Sequence, residues 1–185
     1  MSHELFHDIN LEEVSSNILH TKFITEELCS YILDACLDKN SWSSNRKQPY
    51  FTQDIHLEKE LPEWYTFLEE GLQIALNKAS LWWNLGEEIK VADLFAIKYS
   101  LDTQTNLKVH HDDSFISGSI KLNSSYEGGE LFFPRQNFNN KNIGIGDLIL
   151  WPGQITHEHG SKTLLSGKKY SITIWTKNEA MENYR

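Results

Sequence analysis

Residues 108–114 read Lys-Val-His-His-Asp-Asp-Ser, and they begin a stretch that continues to Trp175. Within this stretch, residues 146–153 read Gly-Asp-Leu-Ile-Leu-Trp-Pro-Gly and residues 157–159 read His-Glu-His. Short apolar runs alternate with Gly, Pro, Asn and Ser, which is typical of strands separated by turns. The pattern predicts strands at 94–99, 109–112, 116–122, 130–133, 147–151 and 170–176.

Helical signals precede these strands. Thr25 is a good N-cap, and the acidic residues that follow favour a helix that runs to about Asp38. A second helix is predicted from Pro62, with a stripe of apolar residues at helical spacing. Residues 18–23 are expected to form a short strand, and residues 1–15 a loosely held arm. Helices followed by strands indicate an α+β fold whose strands form a sandwich or barrel.

The length of 185 residues suits a single domain, 1–185, with residues 1–90 as a mainly helical support region and 91–176 as the β core. The net charge of −9 disfavours a nucleic-acid partner, which requires clustered Lys and Arg. No apolar run reaches the roughly 18 residues of a membrane span, so no membrane partner is expected.

Cellular location is inferred from the first residues and the cysteines. Residues 1–13 are polar and acidic and do not resemble a secretory signal. Cys29 and Cys36 lie seven positions apart on one predicted helix, about 10 Å along its axis, whereas a disulfide requires Cα atoms within about 7 Å. Reduced thiols and a cytoplasmic protein are therefore expected.

Two histidine pairs point to a metal site. In a strand, residues two apart lie on one face, so His110 with Asp112, or His111 with Asp113, would present an imidazole and a carboxylate together. A distant histidine, from the 157–159 pair, would complete two His and one carboxylate, the ligand set of non-haem Fe(II) oxygenases. Periodicity alone leaves both choices open.

The last predicted strand contains a candidate anion clamp. Lys169, Ser171, Thr173 and Trp175 alternate onto one face, with Tyr170 starting the other. One ammonium and two hydroxyl groups on a strand face can hold a carboxylate by hydrogen bonds.

The order of these elements resembles the Fe(II)/2-oxoglutarate-dependent dioxygenases, in their prolyl 4-hydroxylase-like branch, over about residues 91–176. The matching elements are Tyr99, the His-x-Asp pair, Leu122-Asn123, the 126–134 run Tyr-Glu-Gly-Gly-Glu-Leu-Phe-Phe-Pro, Gly146-Asp147, the distal His, and Gly167-x-Lys169-Tyr170 ending at Trp175. The string from His110 to Ser114 is similar to that of lysyl-hydroxylase relatives. The sequence departs from the family pattern at Lys169, which is Arg in many relatives, and at Thr163, where proline is usual.

The resemblance implies a double-stranded β-helix (jelly-roll) core with N-terminal helices packed on the major sheet. It also selects His110, Asp112 and His159 as catalytic Fe(II) ligands, and Lys169 as the residue that pairs with 2-oxoglutarate. Tyr99, Thr173 and Lys121 are implied as further residues of the cosubstrate site. The implied cofactors are Fe(II), 2-oxoglutarate and O2, with ascorbate as a candidate addition.

The resemblance implies hydroxylation of a C–H bond with release of succinate and CO2, and a prolyl residue of a peptide or protein is the expected substrate. Trp42, Tyr50, Phe51 and the loop 100–106 are candidate parts of a substrate groove. Two rival hypotheses are a 2-oxoglutarate oxygenase acting on a free amino acid, small metabolite or nucleobase, and a non-catalytic β-barrel that binds metal or 2-oxoglutarate.

Overall fold

The computed structural model describes residues 6–43, 51–86 and 88–178. Strands β1 (Glu12–Ser15) and β2 (Ile18–Lys22) precede helix α1 (Glu26–Lys39), and strand β3 (Gln53–His56) leads into α2 (Leu57–Glu60) and α3 (Pro62–Trp82). The remaining strands are β4 (Ile89–Ser100), β5 (Leu107–His110), β6 (Ile116–Lys121), β7 (Tyr126–Gly128), β8 (Leu131–Phe133), β9 (Phe138–Asn139), β10 (Asp147–Pro152), β11 (His159–Ser161) and β12 (Leu164–Asn178).

The strands form two antiparallel sheets. The larger sheet has the order β1-β2-β10-β6-β12-β4-β3, with β7 paired to β12, and the smaller has the order β5-β11-β8-β9. Long connections between sheets and non-sequential neighbours are the features of a jelly roll. The predicted α+β class with a jelly-roll core is thus confirmed.

The helices cover the outer face of the larger sheet. The apolar stripe of α3 is buried in one cluster with Ile172 and Ile174 of β12 and with Leu28 and Ile32 of α1. Thr25 caps α1 as predicted, because its hydroxyl accepts a hydrogen bond from the Leu28 amide at 3.2 Å. None of the described helices is both long and apolar enough to span a bilayer.

The expectation of a loose arm is wrong for residues 6–15. The ring of Phe6 lies 4.8 Å from Phe67 and 5.3 Å from Phe23 between ring centroids, and Phe6 forms a β-bridge with Ile24. The segment then continues into β1, which extends the larger sheet. One partly buried aromatic side chain and backbone pairing hold a segment whose composition predicted no regular structure.

Several strand limits also differ from prediction. β5 ends at His110, so Asp112 lies in the following turn and not in the strand. β4 and β12 are longer than expected, and the pattern missed β7, β9 and β11, which contain two or three residues each. Such short strands carry too few alternations to be recognised. Cys29 and Cys36 are buried free thiols on α1.

Candidate metal and cosubstrate site

Pairing of β5 with β11 brings three predicted ligands together. His110 at the end of β5 faces His159 at the start of β11 in the antiparallel register, and their ring centroids are 4.6 Å apart. Asp112 Oδ1 lies 3.5 Å from His110 Nε2, and its Oδ2 lies 3.3 Å from His159 Nε2. One ligand atom from each residue lies within 4.8 Å of the other two.

Backbone hydrogen bonds fix the turn that carries Asp112. Its amide donates to the Gly153 carbonyl at 3.1 Å, in the turn that follows β10. The Ser114 hydroxyl accepts from the amide of Thr176 on β12 at 2.9 Å. The carboxylate therefore reaches the two imidazoles although it lies outside the strand.

Hydrogen bonds also determine how the two imidazoles are protonated. Nδ1 of His110 donates to the carbonyl of Lys108 at 2.8 Å, and Nδ1 of His159 donates to the carbonyl of His157 at 2.9 Å. A carbonyl oxygen can only accept, so the proton of each neutral ring is on Nδ1 and the Nε2 lone pair is directed at Asp112. Carbonyl partners of this kind orient histidine ligands in metal sites.

Asp112 completes a set of electron-pair donors that suits a divalent cation. Its Oδ2 is buried and accepts no hydrogen bond, so a negative oxygen faces two imidazole lone pairs. Burial by itself raises the pKa of Asp112, but Nε2–H hydrogen bonds from the His110 and His159 rings, when these are protonated, outweigh burial and lower the pKa below its ordinary value. Two His and one carboxylate suit Fe(II).

The structure separates the alternatives that the sequence left open. His111 and Asp113 are exposed and lie outside the cluster. His157 is buried, but its Nε2 lies 2.9 Å from the Ser16 carbonyl and its Nδ1 lies 2.8 Å from the Thr156 hydroxyl. Burial lowers the pKa of His157, so this ring is neutral.

Lys169 is buried and lines the same cleft as the three ligands. Its ammonium donates to the Gly129 carbonyl at 2.6 Å and to the Ser161 hydroxyl at 3.1 Å, and it lies 4.6 Å from the centroid of the Tyr99 ring. Burial lowers the pKa of Lys169 to about 7, because the charged form loses its hydration.

The predicted alternation of β12 is confirmed. Ser171, Thr173 and Trp175 line the same cleft as Lys169, and Tyr99 of β4 lines it too. The cleft also contains residues for which the sequence offered no separate signal, namely Thr52, Ser119, Trp151 and Ser161. Ser161 lies on the three-residue strand β11, which the sequence pattern did not reveal, so its place in the cleft follows from the fold.

Lys121, in contrast, does not line this cleft. It is the last residue of β6, and its ammonium donates to the Ile143 carbonyl at 2.8 Å and lies 6.0 Å from the Tyr126 ring. Its charge is nevertheless close enough to Lys169 to contribute to the lowered pKa of that ammonium, after burial.

The candidate groove residues are dispersed. Trp42 packs on Tyr170 on the outer face of the sheet, with Lys98 5.0 Å from its ring centroid, and so lies away from the cleft. Tyr50 lies outside the described residues. In the loop 100–106, Leu101 is exposed and Gln104 is buried.

Comparison with known proteins concerns the fold of this chain and its sequence relatives. No protein-family model matches the sequence. The structure resembles the viral collagen prolyl hydroxylase of Paramecium Bursaria Chlorella virus-1 in its 2-oxoglutarate complex, with a TM-score of 0.69, 16% identity, and coverage of 87% of this chain and 96% of that one. At this level of identity the likeness shows the fold, which this chain shares with that prolyl hydroxylase.

A second solved structure has a similar fold, and the sequence also has curated relatives. A Trichoplax adhaerens prolyl hydroxylase, solved with a hypoxia inducible factor peptide, gives a TM-score of 0.64 at 15% identity, covering 91% of this chain and 86% of that one. In sequence, mouse procollagen-lysine,2-oxoglutarate 5-dioxygenase 1 is 29% identical over 160 residues, which are 79% of this chain. The chain spans 22% of the length of that relative.

Proposed function

We propose that the protein is an Fe(II)- and 2-oxoglutarate-dependent dioxygenase that hydroxylates a C–H bond and releases succinate and CO2. The observation that carries this proposal is one cleft that is lined both by His110, Asp112 and His159 and by the buried residue Lys169. A dicarboxylate that chelates a metal through its keto-acid end needs a cation at this second position.

The three ligands would hold iron through two Nε2 atoms and one carboxylate oxygen. His110 and His159 are held in the required tautomer by backbone carbonyls, and Asp112 is fixed by its turn. When bound, iron and 2-oxoglutarate supply the oxidative chemistry, while the protein supplies binding and orientation.

Lys169 would hold the distal carboxylate of 2-oxoglutarate. The ammonium lies on the same strand face as Ser171 and Thr173, whose hydroxyls can donate to the second carboxylate oxygen. Lys169 is 4% exposed, so the ion pair would form away from bulk water, where electrostatic interactions are stronger. The carboxylate would replace Gly129 and Ser161 as the partner of the ammonium.

A prolyl residue in a peptide or protein is the proposed substrate. The solved structures of the same fold include one described as a collagen prolyl hydroxylase and a prolyl hydroxylase in complex with a hypoxia inducible factor peptide. A lysyl residue is the second candidate, because the sequence relatives are procollagen-lysine dioxygenases. Two free buried thiols suit the cytoplasmic location that we also propose.

The decisive assay measures succinate formed from 2-oxoglutarate with Fe(II), O2 and ascorbate as reductant. Wild-type protein and His111→Ala, which removes an exposed histidine beside the ligands, should both form succinate. Asp112→Ala should form none, because the metal loses its carboxylate. Equal succinate formation by Asp112→Ala would contradict the proposal.

The substrate is tested with three peptides that differ at one position, which carries Pro, Lys or Ala. Proline-dependent stimulation of succinate release, with a product heavier by one oxygen atom, supports the first candidate. The same result with Lys supports the second. Stimulation by free amino acids alone would contradict both.

A further inference from the structure

The ring of His157 is held between two segments that are distant in sequence. Its Nε2 lies 2.9 Å from the carbonyl oxygen of Ser16, so Nε2 carries the proton and donates. Its Nδ1 is then the acceptor for the hydroxyl of Thr156 at 2.8 Å. With 2% of the residue exposed, both nitrogens of the neutral ring have protein partners.

The backbone of the same residue contacts the metal ligand directly. The His157 carbonyl accepts the hydrogen bond from Nδ1 of His159 at 2.9 Å, and this bond directs the Nε2 lone pair of His159 toward Asp112. A shift of the peptide at residue 157 would therefore rotate or tilt the imidazole of His159.

The turn that receives the His157 ring is itself anchored to the rest of the fold. Ser16 lies in the turn between β1 and β2, and Asn17 beside it adopts a φ of 53°. The indole of Trp83, at the end of α3, donates to Asn17 Oδ1 at 3.1 Å. Ser15 donates to the Gln136 carbonyl at 3.1 Å, and the Gln136 amide donates to the Thr156 carbonyl at 3.1 Å.

We propose that His157 is a positioning residue for the metal: its ring ties the β1–β2 turn to the segment before β11, and its carbonyl thereby sets the orientation of His159. The proposal rests on the metal-binding part of the proposed function and not on the substrate. Residues that orient a metal-binding histidine from outside the ligand set contribute about 10- to 100-fold to metal affinity.

The direct test measures metal affinity by calorimetric titration of the folded protein. The metals are Co(II) and, in the absence of oxygen, Fe(II). His157→Ala should weaken binding by about 10- to 100-fold. His157→Gln should recover part of the loss, because its amide nitrogen can still donate to Ser16. The matched control is His111→Ala, which removes an exposed histidine next to a ligand and should leave metal affinity unchanged.

The turn provides a second, independent variant. Asn17→Gly keeps the positive φ but removes the hydrogen bond with Trp83, so metal affinity should fall by a smaller factor. Because Asn17 acts through His157, adding Asn17→Gly to His157→Ala should cause little further loss. Additive effects in the double variant would contradict a connection through His157.

The outcomes separate this inference from the proposed function. Metal affinity is measured at a temperature well below the Tm of His157→Ala, where the variant is folded. A lower Tm with unchanged metal affinity would show a role in stability alone and overturn the inference. Wild-type protein that binds no metal would overturn both. Loss of affinity in His157→Ala with partial recovery in His157→Gln supports the inference.

Discussion

The ammonium nitrogen of Lys169 lies 3.1 Å from the hydroxyl oxygen of Ser161, and Ser161 follows the metal-site residue His159 by two positions on β11. The short strand β11 therefore contributes both a proposed metal ligand and a hydrogen-bond partner of Lys169. The hydroxyl of Ser161 and the carbonyl of Gly129 accept hydrogen bonds from the ammonium. We assign their position to the distal carboxylate of 2-oxoglutarate. Binding of the dicarboxylate then exchanges two neutral partners for a charged one.

Replacement of Lys169 by methionine should separate cosubstrate binding from metal binding. Lys169→Met keeps most of the buried volume but removes the ammonium, which costs a charge-assisted hydrogen bond of about 1.5–3 kcal/mol, or roughly 10- to 150-fold in affinity. Calorimetric titration of the Mn(II)-loaded protein with 2-oxoglutarate measures this loss, while the Mn(II) affinity stays unchanged. Unaltered 2-oxoglutarate affinity would show that Lys169 is not the partner.

The affinity for 2-oxoglutarate should fall as pH rises above 7. Burial lowers the pKa of Lys169 to about 7, so the free protein holds a charged ammonium below this pH and loses it above. The carboxylate favours the charged form and raises the pKa in the complex, so binding takes up a proton and weakens by up to about tenfold per pH unit. Titrations of the Mn(II)-saturated protein in two buffers of different ionisation enthalpy detect that proton.

The matched control for this pH dependence is Lys169→Arg. A guanidinium stays protonated throughout this range, so the affinity of the variant for 2-oxoglutarate should not decline with pH. An equal decline in wild type and in the arginine variant would assign the pH effect to another group.

Removal of the Asp112 carboxylate should abolish stabilisation by metal. A ligand that binds only the folded state raises its stability, by about 4.1 kcal/mol at a concentration 1,000 times the Kd. Adding Co(II) or Mn(II) should therefore raise the Tm of wild-type protein in thermal unfolding. Asp112→Ala should show no such rise, whereas Asp113→Ala, an exposed neighbour, should behave as wild type. A metal-induced rise in Asp112→Ala would contradict the ligand assignment.

Local sequence signals predicted correctly those features that depend on a single helix or strand. Thr25 indicated the start of α1, and alternation along β12 placed Lys169 and Thr173 on one face. These features depend on backbone periodicity and on capping within a few residues, so they can be read without knowledge of the fold.

The roles of the other site residues depend on contacts between segments that are distant in sequence. Alternation put His157 and His159 on the same face, and the difference between them arises because the Ser16 carbonyl, 141 positions away, binds one ring while His110 faces the other. Lys121 shows the same limit, because its ammonium donates to the carbonyl of Ile143, which lies 22 positions away. The resemblance to a known family, and not periodicity, supplied the choice of His159.

The backbone of Gly146 lies so close to the backbone of Ile24 that a residue with a side chain does not fit at position 146. It adopts a φ of 80°, its amide donates to the Lys121 carbonyl at 2.8 Å, and its carbonyl accepts from the Ile24 amide at 3.0 Å. A Cβ atom there would lie 2.0 Å from the carbonyl oxygen of Ile24, so the backbone before α1 must shift. The junction between β10 and the segment after β2 therefore requires glycine at this position.

Gly146→Ala should lower the free energy of unfolding by at least about 3 kcal/mol, since backbone displacement adds to the cost of a positive φ. Gly86→Ala is the matched control, because Gly86 has a φ of 69° but no atom within 4 Å of the added Cβ. This control should cost only the conformational term of about 1–2 kcal/mol. Urea denaturation of the metal-free proteins measures both values. Equal losses would show that the approach of Ile24 to Gly146 relaxes without cost, and that the left-handed conformation alone restricts both positions.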